Sequence, residues 1–324
     1  MAAVAALVSV LACLPASAQS PAPTRIGVLR LGAPTDPADR AHLAALDAGL
    51  REGGYVPGQN VRLEVRYAQG RVDRLPALAR QLLALQVTAI VTSNPYTTRA
   101  AREVTSTLPI VVALDYETDP VAMRWIAGLP RPGGNLTGIF LDQPEMSGKL
   151  LQLLKETVPS LTRVAVLWDE TLARAQLDAT EAAARATGLV LVPFGVKSAD
   201  DLEGAFAAAV RERAEGLVVL TSPLLSLNRA RISELSLSRR LPGIALFTNF
   251  PGVGFLMAYG PDQPDAFRRA GSQYVAPILR GARPGDLPVQ RPEKFELVIN
   301  MRTARALGLT IPAAVSARAD RVVR

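Results

Sequence analysis

Strand-like runs alternate with helical patterns along almost the whole chain, and this alternation limits the folds that the sequence can adopt. The runs lie at 25–30, 61–67, 88–93 and 109–114 in the first half and at 163–168, 189–196, 216–221 and 243–247 in the second. Segments with helical periodicity separate them at 39–52, 72–85, 97–105, 172–187, 199–214 and 225–239. This order predicts an α/β fold with parallel sheets and helices on both faces.

The two halves of the chain repeat one another. Three pairs of segments match in the same order: 25–29 with 163–167, 89–95 with 217–223, and 108–112 with 241–245. Their separation of about 130 residues is too long for a solenoid repeat and fits a duplicated domain. The general similarity between any two Rossmann-like halves explains part of this signal. The rest favours two related lobes.

Proline and glycine at 129–134 (LPRPGG) mark the boundary between the halves, because no regular element continues through them. A strand at 135–141 would carry the chain across, and 284–292 would form a further linker. The expected lobes are 24–130 plus about 251–283 for lobe one, and 134–250 plus about 293–324 for lobe two. Several crossings between two Rossmann-like lobes would form a hinge and not a loose tether.

The N-terminus has the character of an export signal. Residues 2–14 are almost wholly small or apolar, and Ala16-Ser17-Ala18 is a small-x-small cleavage site. We therefore expect residues 1–18 to be a signal peptide and the mature chain to be periplasmic. Lipoprotein anchoring at Cys13 is the less favoured alternative. No later run approaches the roughly 18 apolar residues that a membrane span needs.

Composition argues against several classes of protein. The net charge of +7 is spread along the chain without a basic block, so we expect no nucleic-acid partner. His42 is the only histidine and Cys13 the only cysteine, which disfavours catalytic triads and multi-histidine metal sites. His42 is expected to be a half-exposed helix residue. We expect no enzyme, cofactor or metal, although catalysis by carboxylates alone stays open.

In open parallel sheets a ligand binds beyond the carboxyl ends of the strands. In the first half this rule selects Arg30, Ser93, Asn94, Tyr96, Asp115 and Tyr116 as candidate ligand-binding residues. In the second half it selects Trp168, Asp169, Thr221, Ser222, Asn249 and Phe250.

These side chains suit a small amino-acid-like or carboxylate-bearing metabolite. The short polar residues at helix starts could hold a carboxylate, the aspartates an ammonium group, and the aromatic rings an apolar side chain. Ordinary roles remain open for each: the serines, threonine and asparagines as helix caps, Trp168 in core packing, and Arg30 in an ion pair with a nearby carboxylate.

Six motifs resemble a bacterial protein family. They are GLREGGYVPGQN at 49–60, GRVDRLPALA at 70–79, LPRPGGNLTG at 129–138, SGKLL at 147–151, YGPD at 259–262, and KFELVINMRTARALGLTIP at 294–312. Together they resemble the substrate-binding proteins of ABC transporters, of the type called tryptophan/tyrosine-type or uncharacterised. The resemblance runs from about Arg25 to the C-terminus.

This resemblance implies a type I periplasmic-binding fold, three crossovers, and delivery of a ligand from the cleft to an ABC permease in the inner membrane. Some family members bind aromatic amino acids. This chain departs from the family pattern at 93–96 and 169–170, so a different ligand is open. We expect a monomer that serves an importer. A periplasmic sensor that presents its closed form to a membrane receptor is the alternative.

Overall fold

The fold is known from a computed structural model, which describes residues 23–116, 118–141, 143–172 and 174–324. The predicted signal peptide at 1–18 and Cys13 lie outside the described residues. Within the described ranges, no helix is long and apolar enough to cross a membrane.

The first half forms a parallel sheet of five strands. The strands are β1 Thr24–Arg30, β2 Val61–Tyr67, β3 Ala89–Thr92, β4 Ile110–Asp115 and β5 Leu136–Phe140, in the order β2-β1-β3-β4-β5. The helices of this half are α1 Pro37–Glu52, α2 Leu75–Ala84 and α3 Pro95–Val104. Every residue of β3, β4 and β5 is buried, as expected for strands covered on both faces.

The second half forms a sheet of seven strands. These are β6 Arg163–Asp169, β7 Val190–Val196, β8 Gly216–Val219, β9 Gly243–Ala245, β10 Met257–Pro261, β11 Phe295–Asn300 and β12 Arg321–Val323. Their order is β12-β11-β10-β9-β8-β6-β7, and only the β10–β11 pair is antiparallel.

The helices that follow β5 complete both halves. They are α4 Gln143–Thr157, α5 Arg174–Thr187, α6 Asp201–Arg211, α7 Pro223–Leu227, α8 Arg229–Ser238, α9 Gln263–Arg269, α10 Ala276–Leu279, α11 Met301–Ala306 and α12 Ala313–Ser316. A π-helical segment, Ala270–Val275, joins α9 to α10. Short 3₁₀ turns lie at Val72–Arg74, Pro251–Val253 and Pro284–Asp286.

Two strands pair differently from the sequence-based expectation. The strand expected to cross at 135–141 instead pairs with β4 in the first sheet. The stretch 251–283 was expected in lobe one, yet its strand, β10, pairs with β9 in the second sheet. Strand pairing is a long-range property that the local apolar pattern does not encode. The exact lobe boundaries stay a prediction.

The helix after β10 returns to the first half and packs on α1. The contact is close at Gly49, where an added Cβ would lie 1.9 Å from the carbonyl oxygen of Arg268. Glycine at this position therefore lets α9 approach α1 backbone to backbone. This approach places side chains of α9 beside the start of α1.

The segment between α10 and β11 connects the first half to the second. It runs back along the first sheet before it enters β11. The backbone N–H groups of Val289 and Gln290 donate to Leu129 and Gly138, and Phe140 donates to Gln290. The buried guanidinium of Arg269 donates to the Gln290 side chain and to the Arg291 carbonyl oxygen. Much of the predicted linker at 284–292 is therefore fixed against β5.

Candidate functional site

A cleft lies between the two halves, at the carboxyl ends of β1, β3 and β4. Its volume is about 710 Å³ when measured out to its open mouth. Side chains from both halves line it, as the strand-end rule predicts for open α/β sheets.

Arg30 is the centre of a buried polar network in this cleft. Its guanidinium forms an ion pair with Asp39 on α1, and Nη1 donates to Ser93 Oγ at 2.6 Å. The guanidinium carbon also lies 4.8 Å from the centre of the Phe267 ring. Arg30 therefore pairs with a nearby carboxylate and also lines the cleft, and its contact with a ligand stays a prediction.

His42 is buried, and the expectation of a half-exposed helix residue is wrong. Its ring stacks on Phe267 of α9 with centroids 4.5 Å apart and planes 1° from parallel. Nη2 of Arg30 lies 2.9 Å from Nδ1 of His42. Because arginine only donates, Nδ1 accepts this bond. The helix that covers the ring comes from more than 200 residues further along the chain, which local periodicity cannot reveal.

The surroundings of His42 keep its imidazole neutral. Burial holds the pKa of His42 well below its ordinary value of 6.5, and the positive charges of Arg30 and Arg229 lower it further. A hydrogen bond with the Gln263 side chain opposes this shift in the pKa but does not outweigh it. The carboxylate of Asp39, the other charged group in this network, is already engaged by Arg30.

The low pKa of His42 predicts that stability falls with acid. Below pH 6.5 His42 binds a proton in the unfolded chain but not in the folded chain. The free energy of unfolding therefore decreases by up to about 1.4 kcal/mol per pH unit. This contribution is intact above pH 6.5 and is lost as the pH falls towards the folded pKa. Urea unfolding of the wild type and of His42→Gln between pH 7.5 and pH 5 measures it.

His42→Gln should show a flatter pH dependence over the same range. Since His42 is the only histidine, the difference between the two proteins isolates its titration from that of the carboxyl groups. Parallel curves for the two proteins would contradict a neutral, buried His42.

The second half supplies the opposite wall of the cleft. Phe247 lies there with its ring 4.9 Å from that of Tyr116, in an edge-to-face arrangement across the two halves. Asn249 lines the cleft beside it, and its Oδ1 atom is buried without a hydrogen-bond partner in the described ranges. A buried acceptor of this kind costs free energy unless a donor reaches it, which makes Oδ1 a candidate contact for a ligand.

An ion pair bridges the two walls. Asp36, at the start of α1, accepts from Nη2 of Arg229, at the start of α8, with both carboxylate oxygens within 2.8 Å. With Arg30 and Asp39, the cleft therefore holds two arginines and two aspartates, and their charges cancel.

Five of the predicted ligand-binding residues line this cleft: Arg30, Ser93, Asn94, Tyr116 and Asn249. Asn94 also caps α3, because its Oδ1 accepts from the N–H of Thr97 at 3.0 Å. The positive end of the α3 dipole therefore faces the cleft beside Ser93.

Three predicted residues from the strand ends lie outside the cleft lining, and one of them contacts the opposing half. Tyr96 reaches across the halves, with its hydroxyl 3.5 Å from Thr171 Oγ1. Asp169 is buried and accepts from the N–H and hydroxyl of the same Thr171. Asp115 is buried and accepts from the Thr118 N–H.

The other four predicted residues have structural contacts. Thr221 is held by the side chain of Gln176 through three hydrogen bonds. Ser222 caps α7, and Phe250 is buried against Phe255. The guanidinium of Arg174 lies 6.0 Å from the Trp168 ring.

Sequence reasoning missed seven other residues that line the cleft: Asp36, Asp39, His42, Arg229, Phe247, Gln263 and Phe267. The spacing of Asp36, Asp39 and His42 places them on one face at the start of α1, and that start follows β1 directly. This pattern was a usable signal. No local signal marks Gln263 and Phe267, because α9 reaches the cleft from a distant part of the chain.

Two relatives resemble this chain over most of its length. A conserved domain protein from Vibrio cholerae has a crystal structure with a TM-score of 0.84 and 28% identity, covering 92% of this chain and 99% of that one. A tyrosine-binding protein from Clostridioides difficile is 25% identical over 262 residues, covering 80% of this chain and 74% of that protein.

A third relative is an ABC domain from Streptococcus pneumonia, whose crystal structure is a complex with L-Trp. It has a TM-score of 0.84 and 24% identity, covering 93% of this chain and 100% of that one. The predicted α/β fold of two lobes with mainly parallel sheets is confirmed by these likenesses.

The family is shown by a model of the "ABC transporter substrate binding protein" family, which matches residues 35–323. It is a family of solute-binding proteins and not of enzymes, and the resemblance carried by the six motifs is confirmed. This chain therefore belongs to the ABC transporter substrate-binding protein family.

Proposed function

We propose that this protein is the extracytoplasmic solute-binding component of an ABC importer and that it holds one amino-acid-like solute in the cleft between its halves. The observation that carries the proposal is the composition of the cleft wall. Both halves contribute to it, its four charged groups cancel, and aromatic rings lie beside them.

The electrostatics favour a zwitterion over an ion with a net charge. Each arginine of the cleft is already paired with an aspartate, so neither sign is in excess. The α3 N-terminus at Asn94 suits a carboxylate, because the positive end of its dipole faces the cleft. The buried Oδ1 of Asn249 suits an ammonium group on the opposite wall.

The apolar surface of the cleft suits a hydrophobic side chain. Tyr116, Phe247 and Phe267 contribute aromatic area, and Leu31 and Leu114 add aliphatic area. Two relatives are named for tyrosine and for L-Trp, so these amino acids lead the list of candidates. The departures from the family pattern at 93–96 require that aliphatic amino acids and small carboxylates be tested with them.

Isothermal titration and thermal-shift measurements against such a panel test the proposal. We expect one solute per chain, a raised melting temperature, and the same solute in mass spectra of material that copurifies. Binding of no panel member, or chemical turnover of one, would contradict it.

A single charge at Asn94 should abolish most of the binding. Asn94→Asp keeps the helix cap, since aspartate caps as well as asparagine does, but places a negative charge where the solute carboxylate is expected. We expect affinity to fall by at least about tenfold, which corresponds to about 1.4 kcal/mol. Asn60→Asp makes the same change in an exposed turn of the first half and serves as the matched control.

Transport and export need separate tests. We propose a periplasmic location, a signal peptide cleaved after Ala18, a monomeric chain, and an ABC permease as partner, and these rest on the family and on the sequence of residues 1–18. The mass of the exported chain tests the cleavage site. Uptake of the labelled solute by cells that carry the wild type or Asn94→Asp tests the importer role.

A further inference from the structure

The ion pair between Asp36 and Arg229 connects parts of the chain that lie 193 residues apart and belong to different halves. Nη2 of Arg229 lies 2.7 Å from Oδ1 and 2.8 Å from Oδ2 of Asp36. Both side chains are mostly buried in the cleft wall, with exposed fractions of 19% and 15%. Salt therefore screens this pair less than it screens surface pairs.

Each partner is also fixed by its own half. Oδ1 of Asp36 accepts from the N–H of Ala38 as the cap of α1, at 2.9 Å. Nη1 of Arg229 donates to the carbonyl oxygen of Ser226 at 3.0 Å. Because both side chains are held before they meet, forming the pair costs little side-chain entropy. Surface ion pairs contribute little to stability partly because ordering their long side chains does cost entropy.

Another side-chain contact across the cleft is much weaker. The hydroxyls of Tyr96 and Thr171 are 3.5 Å apart, at the limit of a hydrogen bond, and both are accessible to water. Of the polar contacts between the halves described at this cleft, the Asp36–Arg229 pair therefore contributes most to holding the walls together.

We propose that Asp36 and Arg229 form a latch, an ion pair that stabilises the arrangement of the two halves in this structure and so sets the affinity for the solute. We call this arrangement, in which the two walls are joined, the closed arrangement. The inference rests on the proposed function, since it assumes that the solute enters between the halves. A solute that binds only the closed arrangement gains affinity in proportion to the population of that arrangement. The latch raises that population before any solute arrives.

Three variants test the latch in the full, uncleaved chain, in which Cys13→Ser removes the one native cysteine before spin labels are attached. Asp36→Asn removes the charge and keeps the helix cap, Arg229→Gln removes the other charge, and the third variant combines both. Spin labels on Leu83→Cys in α2 and Val210→Cys in α6, both at exposed positions, report the distance between the halves without solute. Arg283→Gln, which breaks an exposed pair within one short turn, is the control.

We expect the label distances in the ligand-free single variants to shift to longer values, with the control unchanged. The dissociation constant of the solute found in the panel should rise about tenfold, mainly through faster release. The double variant should bind the solute with an affinity no lower than that of the weaker-binding single variant, because the interaction is lost only once.

Unchanged label distances in both single variants would overturn the latch, even if affinity falls. Additive losses of affinity with unchanged distances would show that both residues contact the solute directly, which leaves the proposed function standing. If no solute in the panel binds, the distance measurement still decides the latch by itself.

Discussion

Arg30→Met should lower the free energy of unfolding by about 3–5 kcal/mol, the cost of leaving a buried carboxylate without its partner. The substitution keeps the apolar stem of Arg30 and removes the guanidinium that Asp39, Ser93 and His42 share. Asp39 stays buried and retains only the N–H of Ala33 as a donor among the described hydrogen bonds. Urea unfolding at pH 7.5 measures the loss.

A matched variant and a double variant separate the pair from general damage. Arg71→Met breaks an exposed pair with Asp73 and should leave the unfolding midpoint unchanged. Combining Arg30→Met with Asp39→Leu removes both charges and should restore much of the stability, because an apolar replacement of a buried pair is often neutral. A cost below about 1 kcal/mol for Arg30→Met alone would mean that the network adds no more than a surface pair does.

Gly49→Ala should destabilise the protein by about 3 kcal/mol or more, although alanine favours helices. The new methyl group would lie 1.9 Å from the Arg268 carbonyl oxygen and 2.7 Å from its carbon, and both atoms belong to backbone that cannot rotate away. Helices α1 and α9 must therefore separate. Because His42 is on α1 and Phe267 on α9, their stacked rings should separate too, and solute affinity should fall with stability.

Gly204→Ala is the matched control for this substitution. Gly204 is in the interior of α6, and a Cβ built there has no other atom within 4 Å. Alanine should therefore raise the free energy of unfolding by about 1 kcal/mol, as intrinsic helix propensity predicts. If both variants shift stability in the same direction, the close packing of α1 on α9 would not be what Gly49 provides.

Much of the fold follows from local patterns. The strand-like runs at 61–67 and 163–168 become β2 and β6 almost residue for residue. The alternating apolar and charged residues of 61–67 suit a half-buried strand at the sheet edge, and the continuous apolar residues of 164–168 suit a strand covered on both faces. Helix α4 was not predicted, since Gly148 weakens its helical signal. The pairing of β10 with β9 was not predictable either, since it joins segments by sheet order and not by sequence pattern.

The candidate site was predictable wherever a strand end points into the cleft. Arg30, Ser93, Asn94, Tyr116 and Asn249 were found in this way. Phe247 was missed and Phe250 chosen instead, because the chain bends after β9 and turns Phe250 into the core. The direction of a side chain beyond the end of a strand depends on such bends, and residue type alone does not determine it.

The path of the chain after β9 also has a consequence for biosynthesis. The first sheet is covered by α9, and the second sheet continues beyond β9 through β10 and β11, so residues 257–300 complete both halves. An emerging polypeptide therefore cannot finish either half until nearly all of it has been synthesised, unlike a protein whose N-terminal domain folds first on the ribosome.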